Sequence, residues 1–169
     1  MRWTSCCSHP TMVRPSDSGV RRRQCRRHSS RAPIWAQVAA PPSDGRWWNT
    51  ISSAPDLIRY YDMLLDGSGG LPLDRAAVII ADLAQSTPTG IDGYPQRFGI
   101  PDGLYAEPVA VKQGWMCCIG SSWMHLSTGV IGPERRYIMV IESLQPADDA
   151  TARATITQAV RTMFPNGRI

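Results

Sequence analysis

Between Leu57 and Phe164 the apolar positions follow first a helical and then an extended period, and their order predicts a set of elements. Leu57, Tyr60, Tyr61, Leu64 and Leu65 recur at offsets of three and four, the stripe of an amphipathic helix. Ser52 or Ser53 can cap it, Pro55 and Asp56 suit its first turn, and Gly67 stops it. A second helix opens at Pro72 and places Leu73, Ala76, Ala77, Ile80 and Leu83 on one face. Residues 85–105, rich in Gly, Pro, Thr and Asp, read as a long loop.

Three extended stretches follow, Pro108 to Trp115, Trp123 to Ile131 and Arg136 to Ser143, with turn signals at Gly120-Ser121 and Gly132-Pro133. Past Pro146, Asp148 and Asp149 suit the positive end of a helix dipole, and Ile156, Ala159, Val160, Met163 and Phe164 restore the helical period until Pro165-Asn166-Gly167. The order is a helix pair, a loop, a three-stranded antiparallel meander and a closing helix, which is an α+β pattern. It occupies residues 46–169 as one domain.

Charge divides the chain at the same boundary. Residues 1–45 hold eight arginines against two aspartates, whereas residues 46–169 hold ten basic against twelve acidic residues, so the overall net charge of +4 resides in the first segment. That segment has no apolar period and reads as disordered or as non-native to the fold, through truncation or a frame-shift. Its arginine cluster, residues 21–31, could neutralise phosphates, but no aromatic residue lies beside it to stack on bases, and no nucleic-acid partner is expected. Cys7, His9, Cys25 and His28 are ligand types suited to zinc, yet they lack the usual two-residue cysteine spacing, and neither metal nor cofactor is expected. An odd total of five cysteines is no disulfide framework, and the adjacent pair Cys117-Cys118 could be free thiols, a neighbouring disulfide or small apolar filler. No stretch is long and apolar enough to predict a membrane span, and the first ten residues lack the apolar core of an export signal.

Lys112 is the single lysine of the chain, on an apolar strand between Ala110 and Gly114, which share its face. A long cation flanked by small residues leaves room for an anionic ligand beside the strand. If the hairpin is centred between Ile119 and Gly120, Lys112 lies opposite Ser127 and Gly114 opposite His125, so that these residues line one surface. The plainer reading is a solvated strand lysine with ordinary polar neighbours.

Residues 108–164 resemble the end of the class A β-lactamase and penicillin-binding-protein superfamily, in which a Lys-Thr-Gly or Lys-Ser-Gly triplet lies on a strand followed by two more strands and a closing helix. Here the triplet is Lys112-Gln113-Gly114. The stretch from Asn49-Thr50 through the helix pair to Gly99-Ile100-Pro101 is also similar to what precedes that strand in such proteins. The resemblance implies a partial serine β-lactamase-like fold and a set of roles. Lys112 would hold a substrate carboxylate, Gln113 would stand where a hydroxyl residue contacts it, Gly114 would let the substrate approach, and the Trp115 N–H would be an oxyanion-hole donor. His125 and Ser127 would neighbour the site on the adjoining strand. A rival triplet, Ser127-Thr128-Gly129, lacks the lysine and leaves one strand before the last helix.

The family's nucleophile lies in Ser-x-x-Lys, where one helical turn sets the amine beside the hydroxyl. With Val109 three residues before the sole lysine, the motif does not occur in this chain. Ser43-Asp44-Gly45 is a partial look-alike of Ser-Asp-Asn and reads as a turn. The expectation is a truncated hydrolase-like domain, inactive by itself, whose complete form acts on β-lactam or D-Ala-D-Ala-type substrates; a non-catalytic domain that binds a peptidoglycan-like carboxylate is the alternative. Complete members of the superfamily are exported to the cell envelope.

Overall fold

In a computed structural model of the protein, the described residues are Gly45, Arg46, Trp48 and 50–169. The basic segment up to Asp44, with its arginine cluster and its Cys/His set, lies outside them.

Helix α1 spans Ala54–Asp66. Ser53 caps it reciprocally: its Oγ accepts from the Asp56 N–H at 3.4 Å and donates to the Asp56 carboxylate at 2.6 Å, while Gly67 ends it at φ 72. Helix α2, Leu73–Ala84, follows Pro72 with no side-chain cap and buries Ala76 and Ile80. Leu73 and Ala77, expected on its inner face, are exposed, and Ile79 packs inward in their place. The loop that follows holds a short helical turn, α3, Ile100–Gly103, and three of its side chains, Phe98, Ile100 and Leu104, are core residues. Gly and Pro hid that contribution, because the apolar positions here follow no period.

Strands β1 (Val109–Ile119), β2 (Ser122–Ile131) and β3 (Tyr137–Gln145) form an antiparallel meander in that order, and α4, Asp149–Met163, closes the fold behind an Asp148 cap. The α+β architecture is therefore as the sequence pattern predicts. The sheet has helices on both faces. On one, Ala110 and Val130 join Tyr61, Leu64, Ala76 and Ile80 in a core, with Ile138 packed against it. On the other, Val111 and Ile131 join Ile100, Leu104 and Val160, with Met139, Ile141 and Phe164 alongside. β2 is the central strand and reaches both cores, so it has little freedom to slip. At Gly129 a Cβ would meet the Ala110 carbonyl oxygen at 2.1 Å and the Val111 Cα at 2.8 Å, so only glycine lets β1 and β2 approach there. Among the described residues no helix is long and apolar enough to cross a membrane.

The register of the first hairpin differs from expectation. Its turn is Gly120-Ser121, flanked by the pair Ile119 and Ser122, but a bulge between Met116 and Ile119 inserts one extra residue in β1. Below it Lys112 pairs with Thr128, Gln113 with Ser127, Gly114 with Leu126 and Trp115 with His125. Since side chains alternate, this one-residue offset moves His125 and Ser127 to the sheet face opposite Lys112 and Gly114. The Cys117-Cys118 pair makes the bulge, and nothing in an apolar-polar pattern registers a single inserted residue.

Candidate functional site

The six candidate residues thus separate into two places. On the α4 face, Gln113 and Ser127 are buried and hold a turn of backbone. Gln113 Nε2 donates to the Phe98 carbonyl at 2.8 Å, and Ser127 Oγ accepts from the Ile100 N–H at 3.0 Å. Thr157, from α4, accepts from the Gly99 N–H at 2.8 Å. Gly99 itself adopts φ 65, and a Cβ on it would lie 2.5 Å from the Ser127 Cβ. Three side chains from three elements therefore satisfy the polar backbone that the buried 98–100 turn would otherwise leave unpaired.

His125, 0% exposed, is the centre of a second polar cluster on this face. Its Nε2 lies 2.9 Å from the Tyr94 hydroxyl and 3.2 Å from Asp149 Oδ1, and Tyr94 donates to the same carboxylate oxygen. Arg153, one turn along α4, closes on Asp149 Oδ2 through Nε at 3.1 Å and a terminal nitrogen at 2.7 Å. Because a carboxylate can only accept, the proton of His125 sits on Nε2, which leaves Nδ1 as a buried lone pair with no partner. The ring is wedged between Trp123, stacked at 5.9 Å, and the edge of Phe98 at 5.4 Å.

Charge in this cluster follows from burial and partners. Loss of water pushes the His125 pKa below its ordinary value, and the Asp149 carboxylate only partly offsets this. For Asp149, burial pushes upward, but the donors Arg153, Tyr94 and His125 outweigh it and hold the carboxyl below its ordinary value. Burial first, then the neighbouring carboxylate, raise the Tyr94 hydroxyl far above the usual phenol value. A neutral histidine, a carboxylate held by Arg153 and an un-ionised phenol thus hold one another in a clamp. Tyr94 also stacks flat on Trp115 at 4.0 Å, so the clamp ties the 86–97 loop to β1.

Lys112 and the main chain of Trp115 occupy the other place, the outer edge of β1. The Pro108 carbonyl accepts from the Gly132 N–H across the β1–β2 ladder at 2.9 Å. By alternation, even-numbered residues of β1 bond to β2, and the N–H and C=O groups of Val109, Val111, Gln113 and Trp115 point outward from an edge strand. Lys112, exposed as a whole, curls over this edge with its Nζ donating to the Gln113 carbonyl at 2.5 Å, and desolvation of the amine lowers its pKa. At Gly114 a Cβ would meet nothing nearer than Leu126 at 3.6 Å, so packing does not demand glycine there. A pocket of about 400 Å3, lined by Gln96, Arg97, Tyr105, Glu107 and Val109 among others, opens at the foot of this edge. A broader groove of about 1020 Å3 runs along α4 between Arg97, Arg153 and Arg161, away from Lys112. Among the described residues no group of three or more His, Cys, Asp or Glu side chains could hold a metal ion.

Of the clamp, only His125 was legible as a candidate. Asp149 reads as a helix-start acid, although Arg153 at the fourth position after it carries the spacing of a helical ion pair. Tyr94 sits in a loop and gives no sequence signal.

What the fold defines is an α+β unit with a three-stranded meander between helices and a cationic side chain on its open edge. The chain is 84% identical over 166 residues, 94% of its length, to proteins of Mycobacterium bovis and Mycobacterium tuberculosis described as "Putative lipoprotein LppW". It spans about half, 52%, of the length of these curated relatives. No family model matches the sequence, and no solved structure matches it.

Proposed function

We propose that this chain carries the carboxylate-binding edge of a serine β-lactamase-like hydrolase, and that by itself it binds such ligands without turning them over. The observation that carries the reading is a coincidence on one strand edge. The only lysine of the chain and the outward N–H of Trp115, three residues on, flank an edge with no strand partner among the described residues. An extended acyl or peptide ligand can add to such an edge through main-chain hydrogen bonds, with its terminal carboxylate against the ammonium. The resemblance of Lys112-Gln113-Gly114 to the superfamily triplet and the order of three strands and a closing helix add to it.

One residue departs from the superfamily pattern with a physical consequence. Gln113 turns to the opposite face and is engaged with Phe98, so carboxylate recognition rests on Lys112 and the edge amides. Turnover is not expected of the 169 residues, because the only amine side chain sits at this edge and no Ser-x-x-Lys sets an amine beside a hydroxyl. The description of the relatives as lipoproteins accords with a site at the cell envelope, where peptidoglycan-type carboxylates occur.

Calorimetric titration with benzylpenicillin and with a D-alanyl-D-alanine peptide tests the reading. Saturable binding of either, without a penicilloyl adduct by mass spectrometry and without nitrocefin hydrolysis, is the expected result. No binding of either ligand, or an acylated serine, would overturn it.

A further inference from the structure

Cys117 and Cys118 are adjacent, exposed and joined by a disulfide. They sit at the one interruption of the β1–β2 ladder, where β1 supplies two residues between Met116 and Ile119 and β2 supplies only Trp123 between their partners. Cys118 takes φ 73, the left-handed region that side-chain-bearing residues rarely adopt. A link between neighbours closes only a small ring around their own peptide bond. It constrains almost nothing in the unfolded chain, so it cannot act as a staple of the fold. Its effect has to be local, on the backbone of the bulge, and its exposed sulfurs are open to attack by a thiolate.

We propose that Cys117-Cys118 is a reversible redox site that fixes the bulge at the open edge of β1, and that its reduction loosens the hairpin tip beside Trp115. Below the bulge the register is held by the burial of Val111, Gln113, Ser127 and Ile131, so the response is confined to residues 116–123. The reductant is a dithiol. Its first thiolate attacks one protein sulfur and forms a mixed disulfide, releasing the other as a thiolate that takes up a proton. Its second thiol then displaces the first protein sulfur, leaving two protein thiols and the oxidised reagent, with two electrons passed to the protein. Once the ring opens, the covalent hold on Cys118 at positive φ is gone. Next to the tip lies the Trp115 N–H, so the redox state reaches the edge where the ligand is proposed to lie, although the redox site itself does not depend on that reading.

The test uses the full chain before and after dithiothreitol. Cleavage after Lys112 and Arg135 releases Gln113–Arg135, whose only cysteines are this pair. Before reduction that peptide is expected to weigh two hydrogens less and to resist alkylation. Hydrogen exchange at 116–123 is expected to speed up about tenfold on reduction, with α1 unchanged. Cys118→Gly, which accepts positive φ without a link, is expected to leave exchange at the tip indifferent to dithiothreitol. Free alkylation of both cysteines in air-oxidised protein, unchanged exchange at the tip on reduction, or a dithiothreitol response that persists in Cys118→Gly would each overturn the proposal.

Discussion

The two faces of the sheet are built on different principles. Toward α1 and α2 the contact is mainly apolar, Ala110, Val130 and Ile138 against Tyr61, Leu64 and Ile80, with the buried Thr128 as the polar residue beside the Tyr61 hydroxyl. Toward α3 and α4 an apolar cluster shares the face with two polar groupings, the 98–100 turn held by Gln113, Ser127 and Thr157, and the clamp of Tyr94, His125, Asp149 and Arg153. An apolar face tolerates small misfits at a graded cost, whereas a polar cluster loses the full desolvation cost of any partner left unpaired. What the contrast teaches is that polar residues on a strand are not by themselves a ligand site: here four of the six candidates face the packed side and secure a loop.

Substitutions on the two faces should therefore differ in size and in kind. On the apolar face, Ile80→Ala should cost about 2–5 kcal/mol in urea unfolding, since Ile80 is 1% exposed and the rigid core around it leaves a cavity. A loss under about 1 kcal/mol would mean that this face collapses to fill the gap. Ser127→Ala, on the polar face, should cost about 1–3 kcal/mol by stranding the Ile100 N–H. Thermal or chemical unfolding reads it, and an unchanged midpoint would place the 98–100 turn elsewhere.

The clamp also predicts a dependence on pH. The folded chain keeps His125 neutral to lower pH than the unfolded chain does, so its contribution is full above the ordinary value of 6.5 and is lost as pH falls below it. Asp149 has the carboxylate behaviour: its contribution is present above the ordinary value of 3.8 and is lost as pH falls through the lower folded value. Between about pH 7.5 and 5.5 the Tm should therefore decline with falling pH. His125→Gln, which keeps a donor for Asp149 but does not titrate, should have the shallower slope; an equal slope in both proteins would assign the acid sensitivity to other groups. The smallest effect on stability is expected at Lys112, where Lys112→Met should change unfolding by no more than about 0.5 kcal/mol. A larger loss would make the lysine a structural residue.

Period and punctuation made α1, α2, α4 and the three strands legible, because each buries one face or both along a regular repeat. Phe98, Ile100 and Leu104 were not legible as core, since they enter it from a Gly- and Pro-rich loop whose spacing follows neither repeat. The strand register was missed for a reason confined to one residue: the extra cysteine in β1 reverses the facing of His125 and Ser127 relative to Lys112. Lys112 itself stood out because it is the only amine side chain on an apolar strand. Sequence alternation could not say which edge of β1 would be free, as that depends on the ladder's parity and on β2 being the central strand.

Amide-resolved NMR titration of the full chain with a D-alanyl-D-alanine peptide tests the edge assignment most directly. Shifts are predicted at the outward amides of Val111, Gln113 and Trp115, and they should vanish in Lys112→Met while the remaining spectrum stays folded. Shifts centred instead on Arg153 and Arg161 along α4, or a response unaltered by Lys112→Met, would contradict a carboxylate site on β1.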